Sequence, residues 1–175
     1  MTEQTENAAT KRAVLYLRQR TSPEIVQQLR QTVARVRQIE DDGIADVEIK
    51  TWGSVNPALE EISDSGPSVS LTVKSFQSWA DREGYTLRPA FERREISSLL
   101  SSQPATEIQI PIICVAVYEG DDLRCVAPCS DGEQTYSVEN CLAALEVGLT
   151  DPFALETQIE AKREKSSNET LQDQK

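Results

Sequence analysis

The side chains with the most intrinsic chemistry in this chain are four cysteines within a short span, Cys114, Cys125, Cys129 and Cys141. Four thiolates can hold zinc tetrahedrally, but structural zinc sites usually present two short Cys pairs on turns. Here Cys114 falls inside an apolar run and Cys141 stands beside Leu142 and Ala143 in a helical stretch, so both are expected to be small buried hydrophobes. No metal site is assigned. Cys129 differs, because it follows Pro128 and precedes Ser130-Asp131-Gly132 near an expected helix start, where backbone amides and a helix dipole lower a thiol pKa. It is the candidate reactive thiol, with a packing thiol as the alternative. Histidine is absent. Its absence removes the commonest general base, the commonest metal ligand and the partner of Ser-His and Cys-His nucleophile pairs.

A second cluster combines Arg88, Arg93 and Arg94 with Glu92 and Glu95. Mixed charge of this kind suits a solvated edge strand and discourages edge-to-edge aggregation. Its functional alternative is a site for an anion or a partner, since guanidinium grips carboxylate or phosphate with two prongs. Arg30, Arg35 and Arg37 lie off the apolar stripe of a predicted helix and read as its solvated face. Trp52 and Trp79 are expected to anchor the core. No glycine-rich phosphate loop, paired-carboxylate motif or acidic metal loop occurs, so no cofactor and no catalytic residue are assigned.

The 175 residues have room for one ordinary domain, and their net charge of −11 opposes broad attraction to nucleic acid or anionic membrane. Nucleic acid stays possible only through a local basic face. No run approaches the length needed to span a bilayer, and MTEQTENAATKR lacks the apolar core of a signal peptide, so a cytoplasmic location is expected.

The elements that must position these residues follow from periodicity. Ala13 to Arg18 reads as a strand apolar on both faces. Thr21 or Ser22 with Pro23 opens a helix whose stripe is Val26, Leu29, Val33, Val36 and Ile39, closed by Gly43. Ala45 to Trp52 alternates as a strand, completing a βαβ unit with a parallel pair. Gly53 to Pro67 is a connection, with a helical turn possible at Ala58 to Ile62. Ser68 to Glu83 is a second helix, and Tyr85 to Ile96 is a strand restricted by Pro89 to an edge or bulge. Ser97 to Thr106 is a linker. Glu107 to Tyr118 is the central strand, with Cys114, Ala116 and Tyr118 on one side and Ile113, Val115 and Val117 on the other. Gly120-Asp121-Asp122 turns it into Leu123 to Ala127, and Ser137 caps a helix over Val138 to Val147.

The resulting expectation is an α/β (α+β) sandwich. A single domain over 12–148 has the order β-α-β-α-β-β-β-α, with a mixed sheet and helices mainly on one face, resembling a ferredoxin-like sandwich. Residues 1–11 form a disordered tail and 149–175 a charged tail with a possible short helix at 152–164.

At LYLRQ, VEIKTWGS, FQSWADREGYTLRPAFERREI and VAPCSDGEQTYSVENCLAALEVG, the chain resembles a family of short, acidic haloarchaeal proteins, some of which carry the label "HTH domain protein". The resemblance covers about residues 12–148. It implies a helix-turn-helix DNA reader, whereas no two predicted helices are joined by the short turn such a reader needs. The residues favour a non-enzymatic binding or regulatory protein acting through a protein partner or homo-oligomer. The alternatives are a DNA-binding regulator and a thiol-dependent enzyme or redox sensor using Cys129.

Overall fold

In chain order the elements are β1 (Lys11–Arg18), α1 (Pro23–Asp41), β2 (Asp46–Trp52), α2 (Val69–Glu83), β3 (Glu92–Ile96), β4 (Ala105–Gln109), β5 (Ile113–Glu119), β6 (Asp122–Ala127), β7 (Cys129–Ser130), β8 (Thr135–Tyr136), α3 (Val138–Glu146) and α4 (Pro152–Gln172). They come from a computed structural model that describes residues 10–53, 69–97, 102 and 104–172. The expected turn at Ala58 to Ile62 and most of the expected N-terminal tail lie outside the described residues.

The fold is a single mixed α+β domain around a four-stranded sheet in the order β2-β1-β5-β6. β1 and β2 are parallel, as the βαβ unit requires, and β1–β5 and β5–β6 are antiparallel. The parallel strands are immediate neighbours, whereas a ferredoxin-like split βαβ has a strand between them. Because β1 and β5 are apolar at consecutive positions, both faces of the sheet need cover. One face buries Val14, Tyr16, Cys114 and Ala116 with Val73, Phe76 and Trp79 of α2. The other buries Ala13, Leu15, Val115 and Val117 with Val36 and Ile39 of α1 and Leu142 and Leu145 of α3. Helices therefore cover both faces, with α1 and α3 sharing one.

Local signals explain the boundaries. Ser22 occupies the N-cap of α1 with Pro23 following, where a missing N–H costs nothing. Ser137 and Asn140 form a reciprocal capping box at α3. Gly120 turns β5 into β6 with φ +61°, a conformation that side chains disfavour.

Two predicted strands are cut where proline removes a ladder donor. Tyr85 to Ile96 becomes one bridge at Thr86, to Ser130, then a turn around Pro89 and the short β3. Glu107 to Tyr118 divides at Pro111, so β4 pairs with β3 in a separate hairpin and β5 enters the main sheet. That hairpin delivers Phe91, Ile108 and Ile110 to the face covered by α2. The C-terminal helix α4 spans 152–172 rather than 152–164.

Candidate functional site

Parallel strands joined by a helix bring their carboxyl ends and the helix amino end to one side, the usual place for a ligand crevice in open α/β sheets. Here β1 leaves as Arg18-Gln19-Arg20, β2 as Trp52-Gly53, and α1 begins at Pro23. Backbone bonds fix the exits. Arg18 N–H donates to the Ile112 carbonyl at 2.9 Å, Gln19 N–H to the Trp52 carbonyl at 2.9 Å, and Thr21 Oγ1–H to the Arg18 carbonyl at 2.8 Å.

A cavity of about 500 Å³ opens there, lined by Arg18, Gln19, Arg20, Gly53 and Glu107. A Cβ at position 53 would come within 3.3 Å of Gln19 Oε1, the mobile tip of that side chain. Arg18 also lines a neighbouring groove of about 390 Å³ with Arg30, Leu17, Val26, Leu29 and Val33. Arg18, Arg20 and Arg30 enter no ion pair among the described residues. Arg18 Nε is buried without a hydrogen-bond partner there. Guanidinium groups with no ion pair among the described residues, beside a helix amino end, suit phosphate oxygens through two-pronged hydrogen bonds and the helix dipole.

The other end of the same sheet has the opposite character. Glu40, Asp41, Asp42, Asp46, Glu119, Asp121 and Asp122 gather around the start of β1 and the turn between β5 and β6, against Lys11. The topology gathers these carboxylates at the end opposite Arg18 and Arg20, where Glu107 and Glu24 are the nearby acids.

The candidate arginines Arg88, Arg93 and Arg94 do not form one cluster. Arg88 lies in the turn before Pro89. Arg93 and Arg94 are consecutive on β3 and so point to opposite sides of the ribbon. Arg94 stands opposite Glu107, a residue of the arginine-lined cavity, and pairs with Glu92 at 3.7 Å. The sequence offers no mark at Arg18 and Arg20, and it presents Arg30 only as part of the solvated face of its helix. The available signal was position: all three fall at or just beyond the carboxyl end of a βαβ strand or in the first turns of its helix.

All four thiols are free and buried. Cys129 is 3 % exposed, and burial pushes its thiol up to about 12, with Cys141, Asp151 and Asp131 adding to the rise. This is the opposite direction from a thiol activated by a helix dipole. The expected activation fails because Cys129 lies in β7, pairs with Tyr136 and faces the core under α2. Cys125 and Cys141 approach to 3.2 Å on the other face, and a thiol contact with Cys141 followed by burial raises Cys125 well above its usual value. Among the described residues no group of three or more Cys, Asp or Glu is placed to hold a metal ion.

One expectation about helix pairing is corrected. Residues 147–151 alone separate α3 from α4, with Gly148 at φ +82° in the turn, so a closely joined helix pair does exist. The sequence marks 152–164 only as a possible short helix, because α4 has almost no apolar stripe. From Thr157 to Ser167 every residue of α4 is exposed, with Lys162, Arg163 and Lys165 among Glu160 and Glu164. No helix among the described residues is long and apolar enough to cross a membrane. The chain matches the helix-turn-helix domain family over residues 5–150, a span that ends before α4 begins. No curated protein and no solved structure matches it.

Proposed function

We propose that this chain, which belongs to the helix-turn-helix domain family, is a non-enzymatic cytoplasmic regulator that contacts DNA. The observation that carries the reading is the set Arg18, Arg20 and Arg30, without ion pairs among the described residues, at one end of a molecule of net negative charge. Net charge of −11 opposes phosphate at long range, so contact depends on this end being presented and the acidic end turned away. Contacts to phosphate position a protein without specifying sequence. An enzyme reading lacks support from the thiols, because burial keeps Cys129 protonated near neutral pH.

The test is fluorescence anisotropy with a labelled 30-base-pair duplex, titrated over a range of potassium chloride. Binding should weaken linearly on a log–log plot. Replacing Arg18, Arg20 and Arg30 together by Ala should make the slope shallower by about 3, close to one per lost phosphate contact. Absence of binding at low salt, or a slope unchanged in the triple variant, would overturn the reading. Action through self-association is a second reading, favoured by the edge of β2, which pairs with no other strand than β1 among the described residues.

A further inference from the structure

The two edges of the central sheet are built differently. At β6 the register with β5 shifts between Val117 and Tyr118, and Pro128 follows its last residue. A bulge and a proline both obstruct further strand addition. At β2 the register with β1 is unbroken from Asp46 to Trp52, with no proline and no bulge. The Trp52 carbonyl turns inward to Gln19 N–H. By the two-residue alternation of a strand, Lys50 and Glu48 also turn their backbone groups toward β1. Val47, Ile49 and Thr51 then point N–H and C=O outward, where no backbone partner meets them among the described residues.

This edge is complementary to itself. Antiparallel pairing centred on Ile49 sets Ile49 against its own copy, Val47 against Thr51, and Glu48 against Lys50 twice. The three outward residues of each copy would exchange about six backbone hydrogen bonds, two for each closely paired position. Glu48 and Lys50 have side chains 48 % and 42 % exposed, and within one copy they already meet at 3.1 Å. A second copy extends that pair into a ladder of alternating charge, whereas a slip by two residues would lose both cross-strand pairs.

The helix beside the edge points the same way. The apolar stripe of α1 is only half used, since Val36 and Ile39 are buried against the sheet and α3 while Val26 is 39 % exposed. Val26, Leu29 and Val33 line the open groove next to Thr51. A twofold axis through Ile49 brings two such stripes to the same side of a continuous eight-stranded sheet, and a like surface covers each.

We propose that the protein is a homodimer joined through β2, with the α1 grooves packed across the twofold axis. The claim shares Arg18 and Arg30, which line this groove, with the DNA reading, and it is measured separately, without nucleic acid. The experiment is sedimentation equilibrium of the full chain over roughly 1 to 100 µM, a range in which mass action separates monomer from dimer. A dimer is expected. Glu48→Lys should raise the dissociation constant at least about tenfold, because the introduced ammonium of one copy would face Lys50 of the other across the axis. The charge exchange Glu48→Lys with Lys50→Glu should restore it. Ile49→Pro should give monomer with an unchanged circular dichroism spectrum, since the lost N–H points outward. A monomer throughout the range, or a dimer indifferent to both Glu48→Lys and Ile49→Pro, would overturn the proposal.

Discussion

The two faces of the sheet solve the same problem with different materials. Under α2 the core is aromatic: Tyr16 stacks on Trp52 at 4.4 Å, and Phe76 meets Tyr16, Trp52 and Phe91 edge to face at 5.8, 6.3 and 6.0 Å. Under α1 and α3 it is aliphatic, with Leu15, Val36, Ile39, Leu142 and Leu145 in close packing. Large rings bury much area at few positions, so this face is closed by one helix and a two-stranded hairpin. Smaller side chains need more positions, which explains why the second face takes two helices and still leaves part of α1 uncovered. The uncovered part borders the arginine-bearing end, so the proposed contacts arise where the aliphatic cover stops.

The sharpest way to break this comparison is to remove the ring that joins the aromatic side. Phe76 is fully buried and touches three other rings. Phe76→Ala should cost about 3 to 5 kcal/mol by urea denaturation, the range for deleting a buried aromatic ring and leaving a cavity. A loss below that of a single aliphatic truncation such as Leu142→Ala, expected at about 2 to 5 kcal/mol, would show that the rings do not concentrate the stability of their face.

How much of this was legible depended on how local the cause was. Strand β1, helix α1, strand β2 and the α3 cap were readable because period and capping residues act within one turn. The sides taken by Ile113 through Tyr118 were readable for the same reason. The breaks at Pro89 and Pro111 carried a visible signal, and Pro89 alone was used, only as a restriction to an edge or bulge. The convergence of Arg18, Arg20 and Arg30 was not legible from spacing, since it depends on which strands are parallel and where a helix begins. Cys129 was misleading for a related reason: turn residues around it suggested exposure, while its own side chain is turned under α2.

The thiols sharpen the contrast with a smaller effect. Cys114 and Cys129 belong to the aromatic side and Cys125 and Cys141 to the aliphatic side. Burial raises Cys114 and Cys129, and the contact with Cys141 followed by burial raises Cys125, so iodoacetamide at neutral pH should label none of these three in the native protein. Labelling should begin together across the urea transition. Cys129→Ser should cost about 1 to 3 kcal/mol, the cost of placing a hydroxyl in a buried site without a partner. Rapid native labelling of Cys129 alone, with no loss of stability in the serine variant, would restore the reactive-thiol alternative.

The smallest expected effect tests whether the two helices of the aliphatic side are held by charge as well as packing. Arg35 of α1 grips Glu146 of α3 with two hydrogen bonds, Nε to Oε1 at 2.5 Å and Nη2 to Oε2 at 2.9 Å, and also bonds Glu139. The hydrogen bond from Arg35 holds the Glu146 carboxyl below its usual range against the opposing effect of partial burial. A carboxyl depressed in the folded state stabilises the fold above its unfolded pKa of about 4.3 and loses that contribution as pH falls through the lower folded value. The side chains of Arg35 and Glu146 are 31 % and 38 % exposed, so solvent screening limits the pair to about 1 kcal/mol or less. Arg35→Ala should therefore cost that amount at pH 7 and progressively less in acid, measured by urea denaturation at each pH. The cost should also shrink at about 1 M salt, where screening acts over a few ångströms. A penalty independent of pH and salt would mean that the Arg35 stem packs the two helices together and its charge contributes nothing.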